Sequence, residues 1–201
     1  MAKFAEYTKY AASYCPNLPG IVFKRAMLSA SREYFTKTHA WKEIVPLTLV
    51  PGISSYEIPE PYDADLIDSI KDVWLKDKFL SPLPREYLTS DTGTPRYFST
   101  PTKKTINLYP IPKKSGVLNI TLTLKPAFEA DEMPDEIFQE HFEGLMAGAI
   151  FEVKRMPGDW YDPKNAFVFK QEFVQFIEDK RIELMRGSNN SEVFIEYPNF
   201  K

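Results

Sequence analysis

Cysteine occurs once in the 201 residues, at Cys15, so no disulfide can close within the chain. A reducing compartment without export is the matching expectation. The two histidines, His39 and His141, have no second histidine four residues away, which excludes the zinc-protease helix. There is no glycine-rich phosphate loop and no Gly-x-Ser-x-Gly elbow. No apolar run approaches the ~20 residues that cross a bilayer, and Met1 to Tyr7 holds no apolar signal core. Glycine is scarce, at eight against seventeen prolines, so loops should be stiff and the chain is not low-complexity. These absences leave no catalytic site, cofactor or metal to expect. The work of this chain should be done by its surfaces.

What is present first is a β-rich block from Trp41 to Pro126. Its clearest strand is Val117 to Leu124, where apolar residues alternate with Asn and Thr in the period of a half-buried strand. Thr105 to Pro110 alternates likewise. Pro112-Lys113-Lys114-Ser115-Gly116 between them has turn chemistry, so the two runs are expected to form a hairpin. Earlier strands are expected at Ala40–Val50, at Tyr56–Ile58 and at Leu66–Leu75, with a polar tip at Lys76-Asp77-Lys78. Pro46 makes the first an edge strand, and Gly52 suits a turn at positive φ. Further along, Pro82 to Tyr87 suits a helical turn, and Arg96-Tyr97-Phe98 starts the next strand. Six or seven strands in all suggest a small antiparallel sandwich or open barrel.

Helical spacing flanks this block. Phe4, Tyr7, Tyr10, Ala11 and Tyr14 predict a short amphipathic helix, and a longer one should run over about 20–38 with Ala26, Met27, Ala30, Ser31, Tyr34 and Phe35 on its packed face. Beyond Pro126, Ile137, Phe138, His141, Phe142, Leu145, Ala149 and Val153 recur at helical steps behind Pro134, Asp135 and Glu136. The small residues Gly144, Ala147, Gly148 and Ala149 allow a second helix to come close. Asp162-Pro163 supplies a cap and first-turn proline for a last helix to about Arg186. Gly187 to Ser191 breaks it, leaving a short alternating tail, Glu192 to Phe200. The expected fold is α+β: a helical bundle of residues 1–43 with 127–187, an inserted antiparallel β-sandwich or barrel-like domain over 44–126, and an extended C-terminal arm at 188–201.

Charge is uneven. Residues 1–43 carry seven basic and three acidic residues, net +4; residues 44–126 are +1; residues 127–201 carry eight basic and sixteen acidic residues, net −8. Two solvated helical faces would give this pattern, and so would a basic end meeting an acidic neighbour. Nothing resembles the basic stripe of a nucleic-acid binder. The polar candidates have ordinary readings. His141 reads as a packed, hydrogen-bonded histidine, Asp159 and Asp162 as loop and cap residues, and Cys15 as a small packed side chain with no His or Cys beside it to activate it. The tail either folds back on its own domain or docks on a partner.

A resemblance adds to this. Cys15-Pro16, then Ala30-x-x-Glu33-x-Phe35-x-x-x-Thr38-x-x-Trp41, then Pro51-Gly52-x-x-x-Tyr56-x-Ile58-Pro59 resembles the opening of tailed-phage head-to-tail adaptors, the connector or tail tubular protein A-like family. Thr94-Pro95-x-Tyr97, Ile106-x-Leu108-Tyr109-Pro110-x-Pro112 and Leu124-Lys125-Pro126 continue it. Met133-Pro134-Asp135, His141, Gly148-Ala149 and Pro157-x-x-Trp160-x-Asp162-Pro163-x-x-Ala166 complete it, over about residues 12–186. The resemblance implies a structural virion protein with no enzymatic activity, made in the host bacterial cytoplasm. It implies a ring, usually of twelve copies, beneath the portal at the neck, extending the DNA channel and holding the tail or nozzle. The partners implied are further copies of itself, the portal protein and a tail protein. DNA would pass through without specific binding, and no membrane is involved. On that basis Phe194, Ile195, Tyr197 and Phe200 are candidates for a portal-binding arm. Glu172, Glu178, Asp179 and Glu183 are candidates for an acidic channel lining. The rival readings are a carbohydrate-binding β-module, with Trp74, Trp160 and Tyr161 as the platform, and a small virion or assembly accessory protein such as a chaperone.

Overall fold

The computed structural model describes residues 1–61, 65–83 and 91–187. In chain order it shows β1 (Ala2–Lys3), a 3-10 turn (Phe4–Tyr7), α1 (Thr8–Ala11), α2 (Gly20–Thr38), β2 (Lys42–Leu49), β3 (Ser55–Glu57), β4 (Asp65–Leu75), β5 (Lys78–Phe79) and β6 (Ser81–Pro82). There follow β7 (Thr92–Gly93), β8 (Tyr97–Thr102), β9 (Thr105–Tyr109), β10 (Ile111–Pro112), β11 (Gly116–Pro126), β12 (Glu132–Met133), α3 (Asp135–Glu140), α4 (Phe142–Arg155) and α5 (Pro163–Arg186).

Strand β11 is central because its alternation can be buried on one side. Leu118, Ile120, Leu122 and Leu124 are fully buried, while Val117 and Asn119 face outward. It lies between β2 and β4 in a four-stranded sheet of order β2-β11-β4-β5. A second sheet has the order β3-β9-β8-β6. The hairpin expected between the 105–110 and 117–124 runs does not form. β9 pairs with β3 and β8, and β11 with β2 and β4. The turn chemistry at 112–116 fits a change of sheet as well as a hairpin, and two long neighbours bury more of β11 than one short β9 would. Pro82 lies in β6, paired in parallel with Phe98, and the rest of the turn expected there lies outside the described residues.

Two further details refine the local reading. Gly52 does sit at φ 82, and the Tyr56 hydroxyl fastens that turn by accepting from the Val50 N–H at 3.2 Å and donating to the carbonyls of Val50 and Ile53. The helix expected from about 133 onward is interrupted at His141 (φ −110, ψ 11), which separates α3 from α4.

The expected helical bundle carrying an inserted sandwich or barrel-like domain is overturned. The protein is mixed α/β, and no closed barrel is present among the described residues. Helix α2 packs on α4 and also on β11. Phe23, Phe35, Leu145 and Phe173 of the helices belong to the same apolar core as Val45, Leu118, Ile120 and Ile106 of the strands. β1 pairs with β12, so the N-terminus is held by a strand as well. The physical reason is that α2 has more apolar surface than one helix neighbour can cover. The expected C-terminal arm lies outside the described residues.

Close helix contact is set at Gly148. A Cβ there would lie 2.8 Å from the Ala30 Cβ and 2.8 Å from the Phe173 ring, so α2, α4 and α5 meet at this glycine. Asp162 caps α5, accepting from the Asn165 N–H at 3.1 Å, with Pro163 in the first turn. That cap and proline direct α5 across α4.

Candidate functional site

The polar residues inside the fold are structural. His141 is buried between Tyr34 and Phe35, its Nδ1 3.4 Å from the Tyr34 hydroxyl. Burial drives its pKa down to about 4, against the pull of Glu140, so the ring is neutral at neutral pH. Burial also pushes the Tyr34 hydroxyl up. Cys15 is fully buried, and burial raises its thiol pKa, the opposite of what a nucleophile needs. Asp162 is held below the usual carboxylate range by its hydrogen bonds to Asn165, and Lys154 lies 3.4 Å away. No group of three His, Cys, Asp or Glu suited to a metal occurs among the described residues. No described helix is long and apolar enough to cross a membrane.

Sequence reasoning passed over two enclosed carboxylates, Glu152, which pairs with Arg155 at 3.0 Å, and Asp68. Asp68 is 8% exposed and meets Lys125 at 2.7 Å, His39 at 3.5 Å and Lys103 at 3.7 Å. It ties β4 to β11 and to the end of α2. Nothing in the sequence singled it out, since the same strand also carries Asp65, Ser69, Lys71 and Asp72.

Two open surfaces stand out among the described residues. Helix α5 presents one covered and one open face. Phe173 and Ile177 are buried, while Phe167, Val168, Val174, Ile182 and Met185 are exposed, Met185 to 78%. The four candidate channel acids are all exposed on this helix. Glu172, Asp179 and Glu183 stand at i, i+7 and i+11 and so share one flank; Glu178 lies on the other. Glu178 pairs with Arg181 at 2.9 Å, and Glu183 with Lys180 at 3.1 Å. Neither Glu172 nor Asp179 is in an ion pair among the described residues. With five basic residues on α5 against these four acids, the helix as a whole is not acidic.

The outward face of the β2-β11-β4-β5 sheet is a second open surface. Ile44 is 68% exposed, and Trp74, Phe79 and Val117 are also exposed. The registers Pro46↔Asn119↔Trp74↔Phe79 form one row across it, and Trp74 meets Phe79 edge to face at 5.4 Å. At the far end of the sheet a pocket of about 460 Å³ is lined by Leu49, Leu75 and Pro95 and carries Lys76, Lys78, Lys113 and Lys114.

The sugar-platform residues do not come together. Trp160 donates to the Pro16 carbonyl at 2.8 Å just before α5 begins. Trp74 belongs to β4, whose Lys71 and Asp72 lie beside the far end of α5. A helix of 24 residues separates those ends by roughly 36 Å. The four candidate arm residues, Phe194, Ile195, Tyr197 and Phe200, lie outside the described residues.

Residues 4–192 match the family model described as SU10 adaptor protein. No curated protein matches the chain.

Proposed function

The chain belongs to the SU10 adaptor protein family, and from that premise we propose that it is the structural adaptor between the head and tail of a bacteriophage. The family match bears out the resemblance read from the sequence motifs. Under this reading the protein is non-enzymatic and resides in the neck of the virion. It forms a ring, of twelve copies by analogy with the resemblance, beneath the portal. The ring continues the DNA channel and provides the platform for the tail or nozzle.

Residues 1–43 with 127–187 would meet the portal and neighbouring copies, and residues 44–126 the tail. Phe194, Ile195, Tyr197 and Phe200 would form the arm that grips the portal. Glu172, Glu178, Asp179 and Glu183 would line the channel, where like charge lets a phosphate backbone slide rather than stick. Of these, Glu172 and Asp179 would contribute most, because Glu178 and Glu183 are already paired with cations on their own helix. The +4 and −8 ends of the chain fit a head-to-tail contact between unlike surfaces, as a ring requires.

The observation that carries the proposal is the family match across nearly the whole chain. The deciding experiment is the mass of the purified protein, alone and mixed with portal rings, by native mass spectrometry or light scattering. A closed multi-copy ring on the portal is the expected result. A protein that stays monomeric and ignores the portal overturns the proposal.

A further inference from the structure

Three loops meet at one end of the strand block, and backbone pairing fixes each of them. Leu49 closes β2 and pairs with Gly116, which opens β11. Leu75 closes β4 and pairs with Leu118 and with Lys78. β10 runs parallel to β7, and the Lys113 N–H donates to the Gly93 carbonyl at 3.0 Å. The hairpin tip 76–78, the loop 93–95 and the link 113–116 are therefore pinned around one hollow. Its volume, about 460 Å³, lies within the ~300–1,000 Å³ of ordinary ligand pockets.

The hollow is apolar inside and basic at its mouth. Leu49 and Pro95 are buried, and Leu75 is half-buried. Lys76, Lys78, Lys113 and Lys114 are exposed, and none of them is in an ion pair among the described residues. Asp77 is the one acid among the lining residues, which leaves +3. Residues 44–126 as a whole amount to +1, so the positive charge of the block is concentrated here. Lys76 holds φ 55, a conformation that glycine or asparagine adopts at less cost. The turn thus carries a cation where a neutral residue would fit more easily.

The chemistry of the lining selects the ligand. Four ammonium groups on flexible stems suit carboxylates carried by a chain that can adjust to them. No arginine lines the hollow among the described residues, so no planar fork is offered to a phosphate. The apolar interior gains nothing from a bare polyanion, but it gains from burying an aliphatic or aromatic side chain. We propose that this pocket docks an acidic segment of the tail protein. One large apolar side chain of that segment sits among Leu49, Leu75 and Pro95, and its flanking carboxylates meet Lys76, Lys78, Lys113 and Lys114. This rests on the adaptor reading, in which residues 44–126 meet the tail.

The test uses the free full-length protein and a fluorescein-labelled peptide, Asp-Glu-Leu-Phe-Glu-Asp, with anisotropy as the readout. Salt is held at about 0.15 M, where the screening length is about 8 Å. Saturable one-to-one binding is expected. Lys76→Glu with Lys114→Glu should weaken it about tenfold. Replacing Leu-Phe of the peptide by Ser-Ser should weaken it about fivefold. Lys42→Glu with Lys71→Glu makes the same change of charge elsewhere. Lys42 pairs with Thr123, seven steps along β11 from Gly116, roughly 23 Å, so this control should alter affinity less than about twofold. Absence of saturable binding, equal loss from the two lysine pairs, or equal affinity for the Ser-Ser peptide would each overturn the inference. So would displacement by hexametaphosphate as readily as by unlabelled peptide. Self-association that is lost in Lys76→Glu with Lys114→Glu would assign the pocket to a second copy and overturn it as well. The adaptor reading is judged separately, by ring formation on the portal. A ring without peptide binding overturns the pocket alone, and peptide binding without a ring overturns the tail as the source of the segment.

Discussion

His141 is neutral in the folded protein because Tyr34, Phe35 and the surrounding core exclude water from it. Its pKa of about 4 lies below the unfolded value of ~6.5. Between those values the unfolded chain therefore binds more protons than the folded one, and stability falls as pH drops through that window. Glu140 and Glu183 face the ring from α3 and α5 and favour its charged form, while Lys180 opposes it. Glu140, whose pKa is lowered by Lys180, loses its own contribution only at lower pH. Glu152, raised by burial, acts in the opposite sense. Comparison with a variant isolates the histidine: His141→Gln should flatten the fall in thermal midpoint between pH 6.5 and 4.5, measured by calorimetry, relative to the parent chain. Gly148 is the other decisive single residue. An alanine there gains about 1 kcal/mol of helix propensity, but overpacking against Ala30 and Phe173 costs about 1–3 kcal/mol. Gly148→Ala should therefore lower the urea midpoint, and Gly148→Val should lower it further.

At the scale of elements, β11 and α5 behave differently because one is enclosed and the other is half open. β11 pairs on both sides and buries four leucine and isoleucine side chains, so its amides should be the slowest to exchange in the strands. Those of β5 and β6, two residues each at sheet edges, should exchange first. Slower exchange at β5 than at β11 would contradict this topology. α5 depends on its start: Asp162→Ala removes the cap on Asn165 and should lower the midpoint of a urea titration. The existence of α2, α5 and β11 was legible in the sequence, since each has a long run of one period. The partner of β11 was not, because turn residues at 112–116 are common to a hairpin and to a change of sheet. The break at His141 was also hidden, as helical spacing continues through it.

For the whole molecule, the separation of charge along the chain bears on assembly. If the proposed ring forms and its +4 and −8 ends meet between copies, raising salt to 0.5 M shortens the screening length to a few ångströms and should loosen it. Sedimentation velocity at low and high salt checks this, and salt-independent assembly would assign the contact to apolar surface such as the open face of α5. The corrected architecture matters here too. Helices and strands share one core, so a substitution at Ile120 or Phe35 should lower the stability of both, and a single unfolding transition is expected by circular dichroism and by tryptophan fluorescence.

The sequence by itself determined the family, through the order and spacing of many weak motifs, and it determined which stretches are helical or extended, because period is a local property of the chain. It also marked Asp162, Pro163, Gly52 and Gly148, whose roles follow from backbone and size. Only the tertiary structure decided that β9 and β11 lie in separate sheets, that α2 rests on both a helix and a strand, that Asp68 is enclosed by Lys125, Lys103 and His39, and that Trp74 and Trp160 stand far apart. Each of these depends on which distant surfaces meet. That choice is made by the burial of the whole apolar area at once, and no local stretch of residues carries it.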